Sequence, residues 1–105
     1  METLTIEPER AVREAAQRGE EEALGRLIQT YQNRVFRYVT RLVPQPADAE
    51  DLTQEVLLEM VRSLKTFRGE SSLTTWIFRV ATNKIADFYR TRAKRRTFSF
   101  DDRPD

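Results

Sequence analysis

Leu24, Leu27, Ile28, Tyr31, Val35, Tyr38, Val39 and Leu42 recur at spacings of three and four, which draws one apolar stripe along a helix. Pro44 and Pro46 are expected to stop it. A third helix is expected from Asp48, as cap or opening residue, to about Leu64; Ala49, Leu52, Val56, Met60 and Leu64 form its stripe, widened by Leu57 and Val61. The stretch from Lys65 to Ser72 breaks the pattern, with Gly69 as the turn and Ser71 or Ser72 as the next N-cap. A fourth helix then carries Leu73, Ile77, Val80, Ala81 and Phe88 on one side and runs to about Arg95. Upstream, Pro8 is expected to open a short helix that ends at Gly19, and Glu20, Glu21 and Glu22 begin the next, where negative charge suits the helix dipole. No alternating strand pattern and no internal repeat occurs. The expected fold is all-α, a compact bundle of three long helices plus a short N-terminal one, over residues 1–96. The polar, acidic segment 97–105 reads as a linker or disordered tail.

Composition narrows the chemistry. The 105 residues suit one domain, and there is neither cysteine nor histidine, which removes disulfides, thiolate and imidazole catalysis and the usual zinc sites. No phosphate-cradling glycine loop, serine–base pair or spaced carboxylate box stands in their place, so neither enzyme activity nor a metal or cofactor is expected. The longest apolar runs are three residues, and the N-terminus lacks the features of a secretory signal, so membrane insertion is not expected and a cytoplasmic location is.

The net charge of +1 hides two opposed segments. Between Asp48 and Glu59 there are five acids and no base, whereas between Arg79 and Arg96 there are seven bases against Asp87 alone. At about 100° per residue, Asp51, Gln54, Glu55, Leu58 and Arg62 fall together on the third helix, opposite its apolar stripe. A leucine among acids fits a docking face for a basic partner; it also fits a solvated face with one stray apolar residue, and periodicity leaves both readings open. On the fourth helix Thr75, Arg79, Thr82, Asn83, Ala86 and Arg90 lie opposite the apolar stripe, and Arg92, Lys94, Arg95 and Arg96 follow. Guanidinium, amide and hydroxyl groups in this arrangement suit phosphates and base edges. Cations also favour a helix C-terminus, but seven bases in eighteen residues exceed what capping needs. Trp76 borders the core and reads as a half-buried packing residue, and Phe78 and Tyr89 as packing for another helix. Lys84 falls on the apolar side, so it either snorkels past the bundle end or marks where the helix leaves the core. Phe67 is a latch for its loop; with Arg68, Glu70, Ser71 and Ser72 that loop could also receive an unstacked base.

Three segments in order, Asp48 to Leu58 (DAEDLTQEVLL), Phe67 to Ser72 (FRGESS) and Thr75 to Asn83 (TWIFRVATN), resemble region 2 of extracytoplasmic-function sigma factors. The resemblance covers roughly residues 9 to 96. It implies that Asp48, Asp51, Gln54 and Glu55, with Leu58 and Arg62 beside them, dock on the β′ clamp helices of RNA polymerase core. It further implies capture of the non-template strand of the −10 promoter element as single-stranded DNA, with a base flipped into the loop. Arg68, Glu70, Ser71 and Ser72 would line or support that pocket and Asn83 would face it, Thr75 would join the DNA contacts, and Arg79, Lys84, Arg90, Arg92, Lys94, Arg95 and Arg96 would track phosphates. An anti-sigma protein is a further expected partner. Where primary sigma factors carry a second wedge tryptophan, this chain has Ile77, which implies weaker strand opening. Family members also carry a second helical domain, and no helix-turn-helix follows Arg96, so a fragment or a short form is expected. The alternative is a helical interaction module that shares the fold without binding DNA, which would leave the basic fourth helix idle.

Overall fold

The computed structural model describes the backbone of residues 2–101 and the side chains of residues 10–95. Four α-helices follow one another: α1 (Glu2–Gln17), α2 (Glu21–Leu42), α3 (Pro46–Ser63) and α4 (Leu73–Asp101), with a 3-10 turn at Leu64–Thr66 after α3. No strand occurs among the described residues, and the all-α expectation holds.

Local chemistry explains each junction. Gly19 has φ 92°, which a side chain would strain, and the chain closes α1 with Gly19 N–H donating to Ala16 O (2.9 Å) and Glu20 N–H to Ala15 O (3.1 Å). That pair of bonds satisfies carbonyls the helix end would otherwise leave open. Pro46 does not merely stop α2: it is the first residue of α3, a position where its missing N–H and fixed φ cost nothing. Asp48 therefore sits in the first turn of α3 and Gln45 takes the cap position. Ser72 caps α4, its Oγ accepting from Thr75 N–H at 3.0 Å.

Besides the start of α3, two boundaries differ from the sequence expectation. Helix α1 begins at Glu2, well before Pro8, in a stretch with no other proline or glycine to interrupt it. Helix α4 continues to Asp101, past Arg96, where the linker was expected to begin; residues 97–101 hold no proline or glycine to break it, the next proline being Pro104. The rest of that expected tail, residues 102–105, lies outside the described residues.

The core joins all four helices. Ala16 of α1, Leu27, Tyr31, Val35 and Val39 of α2, Ala49, Leu52, Val56 and Met60 of α3, and Leu73, Ile77, Ala81 and Ile85 of α4 are buried together with Val43 and Leu64. Each large aliphatic side chain there contributes roughly 1.5–3 kcal/mol by leaving water. Thr53, the buried polar residue of α3, returns its hydroxyl to Ala49 O at 2.8 Å. No described residue of α4 beyond Ile85 is fully buried, but Phe88 still packs against the core and Tyr89 and Arg92 reach Leu42 of α2 and Asp48 of α3.

Candidate functional site

The loop from Phe67 to Ser72 and the outer side of α4 form one continuous polar surface. Gly69 turns the loop at φ 78°, leaving Arg68 and Glu70 exposed and Ser71 half-buried. The serines are partly used within the loop: Ser71 Oγ donates to Ser72 O (3.2 Å), and Ser72 Oγ lies 2.9 Å from Thr75 Oγ1 besides capping the helix. Thr75, Arg79, Asn83, Arg90 and Lys94 follow on α4, all exposed. Arg90 is held by Asp87 one turn away, at 2.6 Å. No carboxylate pairs with Arg79 among the described residues, so its guanidinium is open to an anion.

Three cations of the fourth helix stand elsewhere. Lys84, beside the apolar stripe of α4, and Arg92 and Arg95, beyond it, line a cleft of about 330 Å³ against Asp48, Asp51 and Glu55 of α3. Arg92 donates to Asp48 at 3.3 Å and stacks over Phe88, 5.3 Å from the ring centroid. Lys84 helps hold the Glu59 carboxyl below the usual carboxylate range, behind the larger influence of the Ser63 hydroxyl, which donates to it at 2.6 Å. Lys84 thus resolves its conflict with the apolar side by facing acids across the helix pair. These three cations are spatially apart from the Arg79, Asn83 and Arg90 row. The side chain of Arg96 lies outside the described residues.

On α3, the outer side presents Asp51, Gln54, Glu55, Leu58 and Arg62 together, all exposed, and Leu58 is 56% exposed. Asp48 stands at the edge of this group, half-buried by its bond to Arg92. Arg62 leans on Glu59 at 3.7 Å. The acidic side of α3 and the basic side of α4 therefore point outwards from one shared core, with the charged cleft along the seam. Ile77 does not point to the surface at all: it is fully buried, because it falls on the inward stripe with Leu73 and Ala81. Its neighbour Trp76 is half-buried against Phe67, with ring centroids 5.1 Å apart and planes tilted by 38°.

The family model for sigma-70 region 2 matches residues 27–95. The chain belongs to this family. The RNA polymerase sigma-H factor of Pseudomonas aeruginosa is 33% identical over 92 residues, covering 88% of this chain and 48% of its own length. The ECF RNA polymerase sigma-E factor of Escherichia coli K12 is 34% identical over 82 residues, covering 78% and 42% respectively. The chain thus spans just under half the length of these relatives. An engineered region 2 of sigmaE, solved by NMR in complex with GTAAAA, superposes with a TM-score of 0.74 at 29% identity, covering 83% of this chain and 90% of that one.

The region 2 match begins inside α2, yet the loop of this sigma domain is tied down by α1. Gln17 Nε2 donates to both Leu64 O and Phe67 O, each at 2.9 Å, and the Arg13 guanidinium lies over the Phe67 ring at 5.1 Å. Phe67 thus has the Arg13 cation over its ring and Trp76 packed against it. Sequence reasoning missed Gln17 and Arg13, whose partners lie about fifty residues away and leave no local signal. It also missed Arg34 of α2, which stacks on Tyr31 and Phe78 at 5.3 and 5.9 Å.

Proposed function

We propose that this chain is the promoter-engaging module of an extracytoplasmic-function sigma factor. The outer side of α3 docks on the β′ clamp helices of RNA polymerase, with Leu58 as the apolar contact and Asp51, Gln54 and Glu55 as its polar rim. The loop 67–72 and the open side of α4 hold the displaced strand of the −10 element. Arg79, Arg90 and Lys94 meet phosphates, Asn83 offers an amide to a base edge, and the loop receives an unstacked base. Asp48 and Arg62 frame the docking face, and Arg68, Glu70, Ser71, Ser72 and Thr75 shape the loop side. In a sigma factor such a module works by binding, in the cytoplasm with the polymerase, and an anti-sigma protein would compete for the same two surfaces.

One observation carries this reading: α3 and α4 bury one stripe each in a common core and turn faces of opposite charge outwards. An acidic face with an exposed leucine suits a protein partner, and a cationic face with amide and hydroxyl groups suits a nucleic acid. The family match and the fold shared with a sigmaE region 2 bound to GTAAAA support assigning the two in that order. Binding of the full chain to isolated β′ clamp helices is the test. Glu55→Arg and Leu58→Asp should each weaken it by about tenfold or more while leaving the melting temperature unchanged, since both side chains are exposed. A folded wild-type chain that ignores the clamp helices would defeat the polymerase assignment.

A further inference from the structure

A second row of positive charge runs along α2. From Ala23 to Ala47 the chain holds Arg26, Arg34, Arg37 and Arg41 and no acid. Arg34, Arg37 and Arg41 are exposed, recur at spacings of three and four, and so share one side of the helix over about 10 Å. Among the described residues no carboxylate pairs with any of these three, whereas Arg26 has Glu22 at 3.6 Å.

This row stands beside the open side of α4. Tyr31 Oη meets Thr74 Oγ1 at 2.9 Å and Tyr38 Oη meets Thr82 Oγ1 at 2.8 Å, while Tyr89 Oη donates to Leu42 O. Numbers rise together in these pairs, so the two helices run side by side in the same direction. Two cationic rows therefore flank a neutral seam. The seam offers no free stacking platform. Tyr38 packs edge-on to Phe78 at 5.2 Å, Arg34 already covers Tyr31 and Phe78, and the tyrosine hydroxyls are bonded within the protein. A single strand gains from aromatic faces as well as charge, whereas a duplex, with its bases stacked inside, can be held by phosphate contacts alone.

We propose that Arg34, Arg37 and Arg41 of α2 hold the phosphate backbone of double-stranded DNA adjoining the single strand held by α4. This rests on the reading of α4 given above. Arg34 is fixed in place by its aromatic partners, and Arg37 and Arg41 reach freely to the next phosphates. The row lies beside the part of α4 from Phe78 to Tyr89, on the far side from the loop, so the duplex joins the open strand at one end only.

The full chain would be titrated with a single-stranded oligonucleotide, with the same strand carrying a duplex flank on each side in turn, and with the duplex alone. One flank should raise affinity about tenfold over the bare strand. The double variant Arg37→Ala, Arg41→Ala should abolish that gain. It should also make the slope of log K against log salt shallower by about 2 for the flanked substrate and leave bare-strand binding unchanged. No gain from either flank, or a double variant that weakens the bare strand as much as the flanked one, would overturn the proposal. Wild type that fails to hold the bare strand would count against the role of α4 instead. In that case the duplex alone still reads the α2 row, through a salt-dependent affinity that the double variant keeps or loses.

Discussion

Glu59 shows how single contacts set behaviour in a protein without histidine. Ser63, Lys84 and Arg62 all favour its charged form, Ser63 most, and its folded pKa lies below the ordinary carboxylate value. A lowered folded pKa means that the associated stability is complete above about pH 4.3, where the unfolded chain's glutamates are ionised, and is lost as pH falls through the lowered value. Urea midpoints measured across that acidic window should fall for the wild type. The Ser63→Ala variant should show a smaller part of that fall, the difference being the contribution of this bond; identical slopes would refute the assignment. Only the Lys84 part of this was hidden by distance along the chain; the contacts of Glu59 with Ser63 and Arg62, one turn away on the same helix, were within reach of the sequence and were passed over. The exposed Leu58, by contrast, was legible from the wheel, since it needed only its own helix.

At the scale of the helix, stripes were easier to read than ends. The apolar spacing of α2 and α3 anticipated their buried residues, although Leu42 and Val61, placed on the same stripes, are exposed, whereas Pro46 was assigned as a stop and is a start. A proline ends one helix and opens another by the same geometry, and only the packing of Ala49 and Leu52 decides which. The stripe of α4 was harder, because Lys84 interrupts it just before Ile85, and Arg92 and Arg95 take up apolar positions after the core has ended. Ile77 belongs to the apolar part, and there the structure changes an expectation. A tryptophan at position 77 would enter the core and not a duplex. Ile77→Trp should lower stability by about 1–3 kcal/mol through overpacking, read by thermal or urea unfolding, before it has any effect on strand opening. A variant as stable as the wild type would mean that the helix can rotate to place position 77 outside.

At the scale of the whole molecule, two faces and one loop depend on contacts between distant segments. The charged cleft links the α3 side to α4 through Asp48 and Arg92, but both groups are partly exposed and the pair contributes less than about 1 kcal/mol. The loop has a firmer hold, since Gln17 gives one donor to each of two carbonyls at the end of α3 and the start of the loop. Gln17→Ala should cost about 1–2 kcal/mol and weaken single-strand binding more than clamp-helix binding. Equal losses at both surfaces would mean that the effect is general unfolding. The charges of the two faces were readable from local runs, but the bracing of the loop from α1 was not, because composition carries no trace of which helix end reaches which loop. The α2 arginines were open to the same charge tally and were overlooked beside the denser run on α4.

Gln17 also bears on where a working unit may be cut. Trimming the chain to residues 27–95, the stretch shared across the family, would keep both charged faces and most of the core. It would also discard the donor for Leu64 O and Phe67 O, along with the cation resting on Phe67. Such a trimmed chain is expected to grip polymerase and lose hold of DNA, so the smallest piece that recognises the family is shorter than the smallest piece that does its work.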